Sequence, residues 1–125
     1  GSSAAVIGDQ DNVASGWWST VNGRSFNAAT EHYSTVRGGI DNTASGERSS
    51  VSGGNSHTAS GTGSSVNGGE VNTASGYSSS VSGGLGNSAT GHASSVTGGL
   101  LNVADEDVEV LPQRSRVHTV MAQTL

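Results

Sequence analysis

From Asn42 onward the chain repeats itself every fifteen residues without an insertion, and this period constrains the fold more than any other feature. Asn42-Thr43-Ala44-Ser45-Gly46-Glu47-Arg48-Ser49-Ser50-Val51-Ser52-Gly53-Gly54 is followed by two variable residues, and further copies begin at His57, Asn72 and Asn87. Looser copies begin at Asn12 and Asn27, so six complete units run from Asn12 to Leu101, with partial units at either end. Alanine (Ala14, Ala29, Ala44 and onward), serine (Ser19, Ser34, Ser49), valine (Val21, Val36, Val51) and glycine (Gly23, Gly38, Gly53) recur at fixed places in every unit. Strict self-similarity at such a period is the mark of a solenoid, whose units bury apolar surface only against their neighbours.

Within a unit, Thr43-Ala44-Ser45 and Ser50-Val51-Ser52 each set one apolar residue between hydroxyl side chains. That is the period-two pattern of a short strand with one buried face, and three to five residues per strand are expected. Stacked coils place each strand beside its counterpart, parallel and about 4.8 Å away, giving a rod on the order of 30 Å long for the complete units. The Ala and Val columns are expected inside and the Ser/Thr columns outside. Gly46 and Gly53-Gly54 are expected to turn the backbone through positive φ. Asn42 and Ser49 are placed to bond the backbone of the turns.

Composition agrees with a thin roll. Twenty glycines and 31% apolar residues leave too little large side chain for a conventional globule. A valine at every fifteenth place argues against a disordered Gly/Ser linker. The chain has no cysteine, which excludes disulfides and thiol chemistry, and five basic residues against ten acidic ones give a net charge of −5, which disfavours nucleic acid as a partner. No run is long enough to span a membrane, so any export signal or anchor is expected outside this chain. Residues 1–104 form the repeat domain. Residues 105–125, with the acidic run Asp105-Glu106-Asp107, a possible strand at Val108-Glu109-Val110-Leu111, Pro112, and Val117, Val120, Met121 and Leu125 at helical spacing, read as a cap or neck leading onward.

The two turns carry different side chains. After the double glycine stand Phe26, Ile40, Val71, Leu85, Leu100 and Leu101, which stacking gathers onto one edge as a candidate interface between copies of the chain. The other turn carries Trp17, Trp18, His32, Tyr33, Tyr77 and His92. These suit two uses equally, recognition of sugar or extended protein, or shielding of strand edges.

Catalytic and metal chemistry lack a motif. His32 and His92 share a column four coils apart, roughly 19 Å by strand spacing, too far for a common metal. His57 stands where the repeat has asparagine and reads as a tolerated variant. No Gly-x-Ser-x-Gly element occurs, and no base recurs beside a serine. The sequence therefore indicates neither an enzyme nor a bound cofactor.

The unit Asn-Thr-Ala-Ser-Gly-x-x-Ser-Ser-Val-Ser-Gly-Gly, as at Asn42 and Asn72, resembles the head repeats of trimeric autotransporter adhesins, the YadA-like heads of Gram-negative bacteria. The resemblance covers residues 4–104 and implies an all-β, left-handed parallel β-roll, packed side by side as a homotrimer. It also implies an extracellular location on the bacterial surface, outer-membrane anchoring through regions outside this chain, and adhesion to matrix proteins, cells or surfaces. No contact of this fragment with the membrane is implied. In the family's better-known motif, Asn-Ser-Val-Ala-Ile-Gly, bulky residues flank the inward alanine. Ser50 and Ser52 stand in those places here, which moves the expected seam to the edge bearing Ile40, Leu85 and Leu100. Two other readings remain: a structural spacer of a stand-alone or phage-like fibre, and an ice-binding solenoid using its irregular Thr/Ser rows.

Overall fold

A computed structural model describes residues 3–111. They form an all-β parallel solenoid of fifteen-residue coils, and no helix occurs among the described residues. Each coil crosses once through each of two sheets. The valine strands make an eight-stranded sheet beginning with Ala5–Gln10, Thr20–Ser25, Thr35–Val36 and Ser50–Val51, and the alanine strands make a seven-stranded one. Every pairing is parallel and joins residues fifteen apart, as in Val51↔Val66 and Ala59↔Ala74, so a column of the sequence becomes a line along the rod.

Most strands pair over only two residues, shorter than the repeat pattern suggests. A third ladder of single bridges, Ser25↔Ile40↔Asn55↔Glu70↔Leu85↔Leu100, ties the corner after the double glycine. The valine sheet runs past Ala104. Val110 pairs with Ser95, and Leu111 takes the valine place opposite Val96. The residues expected to start a helix from Arg116 lie outside the described residues.

Val21 through Val96 and Ala29 through Ala104 line the interior, each fully buried. The serine column at Ser19, Ser34, Ser49, Ser64, Ser79 and Ser94 is buried too, which corrects the expectation that all hydroxyl columns face outward. The turn explains why. The Ser49 N–H donates to the Gly46 carbonyl at 3.0 Å, closing a turn. The serine hydroxyl completes that turn, donating to the same carbonyl in Ser19, Ser79 and Ser94 (2.7, 2.7 and 2.8 Å). A buried hydroxyl is tolerated because its partner lies within its own turn.

Of the turn glycines, Gly54 takes the expected positive φ, whereas Gly46 serves a different purpose. Gly46 does not have positive φ. Its place in the coil is so close to the next that an added Cβ would lie 2.2 Å from the Gly61 carbonyl oxygen. Positive φ falls two residues later, at Arg48 and its column mates Trp18, Tyr33, Ser78 and Ala93, with Gly63 the only glycine of that column. In the other turn, Gly54 has φ 96° and the left-handed conformation recurs at Phe26, Asp41, Ser56, Val71 and Leu101.

Side-chain ties between coils come from the asparagine column. The Asn72 Oδ1 accepts from the Asn87 N–H at 2.8 Å, and its Nδ2 donates to the carbonyls of Gly68 (2.9 Å) and Gly84 (3.0 Å). Asn42 and Asn87 make the corresponding bonds. Asn42, Asn72 and Asn87 thus each stitch their own turn to the coil that follows.

Candidate functional site

Because each coil passes once through each sheet, its two turns lie at opposite ends of the coil, and each turn column forms an edge of the rod. Both edges present exposed large side chains.

On the edge after the double glycine, one column reads Ser25, Ile40, Asn55, Glu70, Leu85, Leu100 and the next reads Phe26, Asp41, Ser56, Val71, Gly86, Leu101. Stacking therefore brings Val71, Leu85, Leu100 and Leu101 together, and puts Ile40 one coil beyond Phe26. Asp41, Asn55, Ser56 and Glu70 separate the two groups. Leu100 and Leu101 are 61% and 68% exposed, the opposite of what isolated packing would favour.

Phe26, Val71 and Leu101 also hold φ of 58°, 54° and 54°. A left-handed residue with a Cβ costs roughly 1–2 kcal/mol, and a β-branched one such as Val71 is a true outlier. Gly86 occupies the same column at φ 67°, so the turn accepts glycine. Bulky apolar side chains that are both strained and exposed make this edge a candidate contact surface.

The opposite edge is held by backbone bonds from coil to coil, such as Tyr33 N–H to the Trp17 carbonyl (2.8 Å) and Ala93 N–H to the Tyr77 carbonyl (2.7 Å). The aromatic residues separate into two groups. The Trp17 and His32 rings lie 5.7 Å apart and tilted by 42°, and His32 Nδ1 accepts from the Trp17 N–H at 3.3 Å. Trp18 and Tyr33 are neighbours in the adjoining column, and Arg48, one coil further, sits 5.8 Å from the Tyr33 ring centroid. Arg48, which pairs with Glu47 at 3.4 Å, was not singled out in the sequence, although column arithmetic alone puts it beside Tyr33. This cluster combines amphipathic rings with a cation over an aromatic face.

Tyr77 and His92 form the second group, four coils from Trp17 and roughly 19 Å away by strand spacing. Their rings stack at 5.1 Å and 11°, so their facing surfaces are occupied by each other. Thr62 and Gly63 lie between the groups. The six aromatic-edge residues are thus aligned on one edge but do not form one continuous surface.

Among the described residues, no three His, Cys, Asp or Glu side chains come close enough together to hold a metal ion. His57 lies in neither edge. It is fully buried in the asparagine column, where its Nδ1 accepts from the Asn72 N–H at 3.0 Å. No known family model, curated protein or solved structure matches this chain.

Proposed function

We propose that this chain is the head segment of a cell-surface fibre, a left-handed roll that assembles as a side-by-side homotrimer along its apolar edge and serves in adhesion. The observation that carries this reading is the pairing of two unlike edges on one rigid rod. The apolar edge holds bulky residues in the left-handed conformation, and the aromatic edge lies at the other end of every coil. Burying the first edge at a fibre axis turns the second outward along the whole length. The YadA-like form of the repeat supports the same arrangement and a place on the bacterial surface.

The partner of such an edge is an extracellular matrix protein or a glycan, contacted through Trp17, Trp18, Tyr33 and Arg48. Tyr77 and His92, stacked on each other, contribute less ring surface to a ligand.

Two experiments test the reading. Multi-angle light scattering should give a trimer for the purified chain, and Leu85→Asp together with Leu100→Asp should dissociate it to monomers at micromolar concentration. A stable monomer for the unsubstituted chain removes the seam. A screen against matrix proteins and glycans should detect binding that falls at least tenfold when Trp17, Trp18 and Tyr33 are changed to Ala. Undiminished binding by that variant, or no binding by the intact trimer, leaves the rod as a spacer.

A further inference from the structure

We propose that the coil beginning at His57 is an acid-sensitive joint in the rod, closed while its imidazole is neutral and loosened when the imidazole takes up a second proton. The proposal does not depend on the adhesive reading or on the trimer, because it concerns bonds between successive coils of one chain.

His57 is inserted into a column otherwise made of asparagine. Its N–H donates to the Asn42 Oδ1 at 2.9 Å, and its Nδ1 replaces an asparagine oxygen in accepting from the Asn72 N–H at 3.0 Å. That acceptor role assigns the neutral tautomer with hydrogen on Nε2. An asparagine at this place would donate twice through Nδ2, as Asn42 does to Gly38 and Gly54 at 3.0 Å each. His57 Nε2 is buried and makes no hydrogen bond of ordinary geometry. The imidazole is held between tightly packed backbone, since a Cβ on Gly54 would lie 2.3 Å from Nε2. The wedge fits in one protonation state only. A proton on Nδ1 would confront the Asn72 N–H, donor against donor, in a buried place, and the coils at 57 and 72 must separate to relieve it.

The surroundings do not stabilise the cation enough to avoid this. Above and below in the column stand Asn42 and Asn72, both neutral. Burial lowers the pKa of His57 below its ordinary value, and the Gly69 and Asn72 backbone and the Glu70 carboxylate only partly oppose that effect. The Gly69 carbonyl favours the charged form through its dipole, although Nε2 does not reach it in hydrogen-bonding geometry.

The rest of the coil is also weakly tied. The Ser64 hydroxyl lacks the partner that Ser19, Ser79 and Ser94 have. Thr62-Gly63 interrupts the aromatic row at one of its edges. In a solenoid, stability is a sum over neighbouring coils, so a weak coil opens locally without unfolding the whole.

The sign of the pH effect follows from the lowered pKa. Above the ordinary value of 6.5 neither the closed nor the open coil binds the proton, and the joint has its full stability. As pH falls below that value, the open coil is protonated first, and the opening equilibrium rises up to about tenfold per pH unit until the closed form also titrates.

Hydrogen exchange on the full chain tests this. Between pH 6.5 and 5.5, protection factors for the amides of His57 and Asn72 should fall up to about fivefold, with little change at Asn27 and Asn102. His57→Asn, which restores the column, should abolish the fall. Nitrogen NMR of the unsubstituted chain should show a neutral imidazole with hydrogen on Nε2 at pH 7. Equal acid loss of protection in the His57→Asn variant overturns the proposal, as does an imidazole that ionises near 6.5 with the amides of its coil still protected.

Discussion

Asn72→Ala should destabilise the rod by on the order of 4 kcal/mol, a loss that Asn42→Ala and Asn87→Ala, which break the corresponding bonds, should match. The substitution leaves the Asn87 N–H and the carbonyls of Gly68 and Gly84 without their partners. Each unpaired polar group inside a protein costs about 1–3 kcal/mol, and partial hydration through the opened turn keeps the total below a simple sum. Alanine also cannot recover the loss through apolar contact, because the place is lined by backbone. Thr73→Ala, one residue along, removes a half-buried hydroxyl and should change stability by no more than about 0.5 kcal/mol. Denaturant unfolding followed by circular dichroism distinguishes them. A loss below about 1 kcal/mol for Asn72→Ala would show that the column does not hold the coils together. Because a solenoid unfolds by units, exchange at the amides of the coils beginning at 72 and 87 should report the damage before the global transition does.

Ala74→Leu should cost about 3 kcal/mol for the opposite reason, too much side chain rather than too little bonding. Ala74 is completely buried between Ala59 and Ala89, with the valine strands across a narrow interior. The coil cannot widen to admit a leucine without breaking register with the coils on either side, since every neighbouring coil has the same width. Ser75→Leu adds the same group to the next residue, which is exposed, and should leave stability within about 0.5 kcal/mol. The comparison tests the inward assignment directly. Equal stability of Ala74→Leu and the unsubstituted chain would mean that the interior contains free space.

Two corrections show where reading the columns alone fails. The repeat pattern put the Ser/Thr columns outside while placing Ser49 to bond its turn's backbone; the turn bonds form, but they carry that serine column to the inside. Ser49 and its mates turn inward, where the hydroxyls of Ser19, Ser79 and Ser94 donate to the carbonyl of the glycine three residues before them and that of Ser49 accepts from the Gly46 N–H. Glycine at 46 suggested positive φ, whereas the coil needs that glycine for a backbone approach of about van der Waals limit or less, and gives positive φ to Arg48.

His57 illustrates the same division. In the sequence it is a departure from asparagine, and nothing in its spacing distinguishes a tolerated change from a functional one. Only the bond from the Asn72 N–H to Nδ1, and the absence of any partner at Nε2, show which proton the site accepts.

By itself the sequence determined the coil length, the parallel register, the Ala and Val columns of the interior and the membership of each edge. It could do so because a period without insertions converts a place in the chain into a line in space. The tertiary structure alone decided which hydroxyls turn inward, which glycines serve close approach, which aromatic faces are spent on each other and how the buried imidazole is bonded. Those outcomes depend on backbone angles and on contacts between neighbouring coils, and composition and periodicity encode neither.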